Sequence, residues 1–303
     1  MGEGFDTKQE KSVEYKKKLE SALAKIAKDK NLRIKNEYGK ENLINSDGSL
    51  NPEAFLVENG GIYTKKEFEE HNNKILKAEL RFAEADKILD PDAQERKHAA
   101  WKRRKMYREG RNVELATTLL ITKILGDDFI VVRTADYDDY FAGTDLIIVN
   151  KKTGKTLCAI DNVAQSESKT KEGETMMSIK KLEKTLSAVD QGGVELKYGI
   201  KIKNEKMTLE PLQNMPVFYF DISDKDWSDL SSNDVNSEKI NKTELRIFAS
   251  FIKSLDQQRK DLLVATNLKP TDPAFQKINS FDHDTLAVFV DIYNKRRTEL
   301  ASN

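Results

Sequence analysis

The chain has 303 residues in which 51 Lys+Arg balance 51 Asp+Glu, and hydrophobic residues make up 38% against 34% charged. That length suffices for one large or two modest domains with a real core, and a mean hydropathy of −0.66 points to long solvated helices around a smaller packed unit. No apolar run approaches the ~20 residues of a membrane span. The single cysteine, Cys158, excludes an internal disulfide framework and a Cys-rich zinc site, and neutral net charge argues against a uniformly basic nucleic-acid binder.

The first residues, MGEGFDTKQEKSVEYKKK, lack the apolar core of a secretory signal, so a cytoplasmic location is expected. Residues 8–30 read as a helix, with Val13, Leu19, Leu23 and Ile26 recurring at helical intervals on a Lys/Glu background. Residues 36–62 hold NSDGSLNP and ENGG and read as loop. Thr64 with Glu67 fits a capping box. The helix it opens carries Phe68, Ile75, Leu76, Leu80, Phe82, Ile88 and Leu89 as far as Asp90-Pro91. A further helical stretch, about 92–109, ends near Gly110. Within it Lys97, Trp101, Arg104, Arg108 and, beyond it, Arg111 fall on one stripe. Such a stripe can neutralise phosphates while Trp101 stacks on an unpaired base. It can equally be a solvated face, with Trp101 anchoring the helical arm.

The middle of the chain changes character. Asn112 is placed to cap a helix running to Leu125, with Val113, Leu115, Ala116, Leu119, Leu120 and Ile124 as its apolar side and Gly126 to end it. Three strand-like runs follow, Phe129–Arg133, Asp145–Asn150 and Thr156–Val163, the last two joined by the turn residues 151–155. Asp136, Asp138 and Asp139 fall in the loop between the first two runs. Ser178–Asp190 reads as a helix closed by Gly192-Gly193, and Val194–Lys203 and Val217–Ile222 as strands, the latter fully buried. Residues 223–236 read as an Asp/Ser-rich loop, with Asp221 and Asp224 as candidate caps, and about 237–265 and 283–300 as amphipathic helices. The expected organisation is a charge-rich helical region over 1–110, an α/β core over 111–222 and C-terminal helices over 223–303 packed on that core. His71, His98 and His283 are scattered and read as surface residues.

Candidate chemistry lies in the core's carboxylates. Glu114 opens the first core helix, Asp145 begins the second strand, and Asp161 ends the third. Alternation puts Leu157, Ala159, Asp161 and Val163 on one face of that third strand and Cys158, buried and inert, on the other. A carboxylate at the end of a buried strand is costly unless it meets a cation or a donor. Two such carboxylates on hairpin-linked strands can converge on a hard divalent ion, which commonly takes one or two carboxylates plus water and phosphate oxygens.

The helix with Glu114, the GTD hairpin and the AIDNV strand, followed by a helix, resemble the PD-(D/E)XK nuclease superfamily over about residues 111–222. The resemblance implies an α/β (α+β), restriction-endonuclease-like core with a mixed central sheet, flanked by N- and C-terminal helices. It implies Mg²⁺ or Mn²⁺ held by Asp145 and Asp161, with the main-chain carbonyl of Asn162 as a further ligand and Glu114 completing or orienting the set. The family lysine two residues after the second acid is Val163 here. The resemblance therefore leaves the water-orienting role to Gln165 or to one of Lys169, Lys171, Lys180 and Lys181. Two functions follow. One is a metal-dependent nuclease, or nuclease-derived protein, acting on a phosphodiester backbone. The other, favoured by Val163, is a catalytically inactive scaffold that binds nucleic acid or a protein partner. No membrane partner is expected. DNA or RNA, strandedness and oligomeric state are not legible in the sequence.

Overall fold

A computed structural model describes residues 3–85, 109–164, 176–235, 237 and 239–302. The runs FIVVR, LIIVN and TLCAIDNVA become β1 (Phe129–Arg133), β2 (Leu146–Asn150) and β3 (Thr156–Ala164), an antiparallel meander, and β6 (Val217–Ile222) lies parallel to β3. The result is a mixed four-stranded sheet in the order β1-β2-β3-β6. A parallel pair needs a long crossover. Here the crossover contains α5 (Met176–Asp190) and a separate antiparallel ribbon, β4 (Val194–Lys203) with β5 (Lys206–Met215).

The sheet is covered on both faces, which is why its strands are near-continuous apolar runs. One face presents Val131, Leu146, Ile148, Ile160, Phe218 and Phe220 to α1 (Glu3–Tyr38), α3 (Glu109–Leu125), α7 (Lys242–Ala265), α8 (Pro273–Phe281) and α9 (Ala287–Ala301). The other presents Ile130, Val132, Ile147, Val149, Ala159 and Val217 to the β4–β5 ribbon and to Leu43, Leu50 and Phe55 of the loop after α1. That loop is followed by α2 (Lys65–Ala85). Helix α1 gives Leu19 and Leu23 to the first core and Ala27 and Ile34 to the second, so it spans the edge between them.

Both sheet edges are closed by side chains and loops, which removes the exposed ladder that invites edge pairing. On β1, the Arg133 N–H donates to the Gly48 carbonyl (2.8 Å), and the Arg133 carbonyl accepts from the Leu50 N–H (2.8 Å). Lys30 Nζ donates to the Val131 carbonyl (3.0 Å), and desolvation there lowers the Lys30 pKa to about 7. On β6, the Gln258 amide of α7 mimics a strand: its Oε1 accepts from the Tyr219 N–H (2.9 Å) and its Nε2 donates to the Tyr219 carbonyl (2.7 Å).

Several local expectations are corrected. The helix expected from Asn112 already runs from Glu109, the first described residue there, and Asn112 is a buried residue inside it rather than its cap. Residues 136–142 are a short helix, α4 (Asp136–Ala142), not a loop. Its Asp138 is buried because it accepts the N–H groups of Lys197 (2.7 Å) and Tyr198 (3.0 Å) from β4. Residues 224–231 form α6 (Asp224–Ser231), capped by Ser223 rather than by Asp221 or Asp224. Strand β5 and helix α8 were not expected, and Tyr219 and Asp221 keep β6 from being fully buried. The register steps from Ile148↔Cys158 to Val149↔Thr156, so Leu157 is an extra, bulged residue and packs with Cys158 instead of Ala159. His71 is buried, its Nδ1 2.8 Å from the Tyr198 hydroxyl. The capping box stands: the Thr64 N–H meets the Glu67 carboxylate (2.8 Å) and the Glu67 N–H meets Thr64 Oγ1 (3.3 Å). The helix expected over 92–109, the Asp90-Pro91 stop of the helix before it and His98 lie largely or wholly outside the described residues.

Asp138→Ala would strand two buried N–H groups of β4, so we expect a loss of about 2–4 kcal/mol of stability, read from the denaturant midpoint. Burial pushes the Asp138 carboxyl up to about 7 despite its two donors. The native state therefore holds this proton across roughly pH 4–7, where the unfolded chain has released it. Wild-type stability should fall through that window as pH rises, and Asp138→Asn should lose this part of the slope.

Candidate functional site

The antiparallel pairing Leu146↔Ile160 brings Asp145, just before β2, beside Asp161, which lies three residues inside β3 rather than ending it. Asp145 is fixed through its main chain: its N–H donates to the Ile160 carbonyl (2.7 Å), and its carbonyl accepts from the Thr134 N–H (3.0 Å). Its Oδ2 accepts the main-chain N–H of Asn162 at 2.6 Å, which ties the two strands together. Both carboxylates are buried. The approach to Asp145 turns on Gly143, which ends α4 in the left-handed region (φ 65°). A Cβ at that position would collide with the Lys184 ammonium of α5, so Lys184 packs against Gly143, two residues before Asp145.

Behind this pair stands a ring of charge. Glu114 Oε2 accepts from Arg111 (3.0 Å) and Arg133 (3.1 Å), and Asp47 Oδ2 accepts from the same two guanidinium groups (2.7 and 2.8 Å). Arg133 is buried, which only such pairing permits. Asp47 is itself held in an Asx turn by the Ser49 N–H (3.1 Å) and hydroxyl (2.6 Å).

The electrostatic consequence falls on Asp145. Burial, then the charges of Glu114, Asp161 and Asp139, raise its carboxyl well above the usual range, and the Asn162 N–H only partly offsets them. Convergent, desolvated carboxylates of this kind are characteristic of functional sites. The Asn162 side chain adds a second anomaly: neither its Oδ1 nor its Nδ2 has a hydrogen-bond partner, although both atoms are buried. Among the described residues no three His, Cys, Asp or Glu side chains converge as a ready-made metal-ligand set.

Of the residues singled out from sequence, Asp145, Asp161 and Asn162 come together, and Glu114 lies near enough to act on Asp145 electrostatically while bonded to two arginines. Arg111 is engaged between Asp47 and Glu114. Gln165, Lys97, Trp101, Arg104, Arg108, Lys169 and Lys171 lie outside the described residues, as do the side chains of Val163, Lys180 and Lys181. The sequence reading missed Asp47, Arg133 and Lys184. Arg133 had a signal: a charged residue closing the buried strand FIVVR needs a buried partner, as Asp161 does.

The chain matches no protein-family model, no curated protein and no solved structure. No described helix is long and apolar enough to cross a membrane.

The raised Asp145 pKa sets a sign for stability. The native state resists ionisation that the unfolded chain accepts above about pH 4, so this group's contribution becomes less favourable as pH rises. In the presence of chelator, Asp145→Asn should keep the Asn162 bond and raise the melting temperature at pH 8 by more than about 2 °C, the gain shrinking toward pH 4. A lower melting temperature at both pH values would show that the carboxylate stabilises the fold.

Proposed function

We propose that the acidic end of the sheet is a divalent-metal-dependent phosphodiester-hydrolysing site in a restriction-endonuclease-like core. The observation that carries this reading is the meeting of Asp145 and Asp161, two buried carboxylates on adjacent strands linked through the Asn162 N–H. Support also comes from element order. A helix, three antiparallel strands, a helix and a strand parallel to the third run through α3, β1, β2, β3, α5 and β6, with α4 and the β4–β5 ribbon inserted.

On this reading Asp145, Asp161 and the Asn162 carbonyl would hold Mg²⁺ or Mn²⁺. The ion would supply Lewis-acid polarisation of the phosphodiester and lower the pKa of an attacking water. The protein's own groups do the rest. The Asn162 N–H fixes Asp145, and the Arg111–Arg133 pair fixes Glu114 beside it. With valine at position 163, Lys184 is a candidate among the described lysines to meet a scissile phosphate, since its ammonium packs against Gly143, two residues before Asp145. Val163 also favours a second reading, in which the same core binds nucleic acid or a protein without cleaving.

Incubation with plasmid DNA, single-stranded DNA and structured RNA in Mg²⁺ or Mn²⁺ separates the two. Cleavage by the wild type that falls at least ~100-fold in Asp145→Asn and in Asp161→Asn, and roughly 10–100-fold in Lys184→Ala, is the expected result. Salt-sensitive binding without cleavage would support the scaffold reading. Cleavage unchanged in both Asn variants would refute the site.

A further inference from the structure

A second concavity lies at the opposite end of β3 from Asp161, walled by the β2–β3 turn, the β4–β5 ribbon and α8, with a volume of about 420 Å³. From Leu157, on its wall, to Asp161 is four strand residues, or roughly 13 Å. Its floor is apolar and buried: Leu157, Ile202, Leu212, Met215 and Phe281. Its rim is cationic: Lys155, Lys201, Lys203 and Lys277, with no Asp or Glu lining it among the described residues.

Among the described residues no carboxylate pairs with the Lys277 ammonium at this rim, and the carboxylate that meets Lys201 does not line the pocket. Lys201 pairs with Glu210 at 2.6 Å, and that pair is well exposed. The Lys277 ammonium donates to the Gln213 carbonyl and lies 3.6 Å from Met215 Sδ, neither of which neutralises it. Desolvation of its tip and the charge of Lys201 lower the Lys277 pKa. The wall is also rigid. Gly154 holds a left-handed conformation (φ 69°), its carbonyl accepts the Ile202 N–H (3.2 Å), and a Cβ there would collide with the Ile202 carbonyl. The turn is thus locked onto β4 before any ligand arrives. A preformed apolar cleft of a few hundred Å³ with a few convergent polar groups is the general form of a small-molecule site.

We propose that this pocket binds an amphipathic organic anion, an aliphatic body carrying one carboxylate or phosphate monoester head. The apolar body lies against Leu157, Leu212 and Phe281, and the head reaches Lys277 and Lys201. An unsubstituted hydrocarbon leaves the lysines unanswered, and a free inorganic anion leaves the apolar floor wet. The site is independent of the proposed nuclease centre and stands or falls without it.

The test is displacement of 1-anilinonaphthalene-8-sulfonate fluorescence from the full-length protein. The competitors are decanoate, decyl phosphate, decanol and decyltrimethylammonium, each below its micelle concentration. We expect one-to-one displacement by an anionic amphiphile. Its affinity should fall at least tenfold in the K201Q/K277Q double variant and in Ser280→Glu at the pocket wall, with melting temperatures unchanged. The tighter of decanoate and decyl phosphate identifies the head group. Equal displacement by decanol, undiminished binding in the variants, or no displacement by either anion would overturn the assignment. Displacement by an oligonucleotide alone would also overturn it, in favour of a backbone-phosphate patch.

Discussion

Two carboxylates, Asp145 and Asp161, are taken out of water at one end of a doubly covered sheet, and much of the local structure answers that constraint. A buried carboxylate beside others is electrostatically unfavourable unless donors or cations offset it. The offsets are visible. The Asn162 N–H binds Asp145, and two arginines bind Glu114 and Asp47. They remain incomplete, because Asp145 still resists ionisation. Such a cluster adds little to stability by itself, since apolar replacements of buried charges are often neutral or stabilising.

Keeping such a site dry and rigid requires the elements outside the core. The sheet's first edge is closed by Lys30 of α1 and by the segment around Gly48–Leu50, and its last edge by Gln258 of α7. The same segment supplies Asp47, so the loop that seals β1 also delivers a carboxylate to the arginine ring. The N-terminal helix and loop are thus part of the site's second layer. At the far side, Lys123 of α3 meets Glu244 at 2.7 Å, and Glu244 also closes the capping box of α7, which locks the C-terminal helices against the helix that bears Glu114.

Legibility in the sequence followed burial. The strands β1, β4 and β6 have the bounds read from the sequence: β1 and most of β6 are apolar runs, while β4 alternates buried residues with polar ones over much of its length. Strand β5 escaped notice since its buried residues, Met207, Leu209, Leu212 and Met215, break period two around Pro211. Helix α8 did carry helical spacing in Ala274, Ile278 and Phe281, and its brevity hid it. The bulge at Leu157 could not be seen from alternation, which it violates. The meeting of Asp145 with Asp161 was legible because hairpin-linked strands must be neighbours. Asp47 was not legible, as it reaches Arg111 and Arg133 from tens of residues away through packing alone.

The account turns on whether the two strand carboxylates hold a divalent ion. Calorimetric titration of Mn²⁺ and Mg²⁺ into the wild type and an Asp145→Ala/Asp161→Ala variant addresses this directly, with short duplex or single-stranded oligonucleotide present in a parallel series to complete the ligand set. The account predicts metal binding by the wild type, alone or with the oligonucleotide, and none by the folded double variant. Absence of binding in both series, or binding that the double variant keeps, would contradict it and leave the acids as a structural feature of the sheet's end.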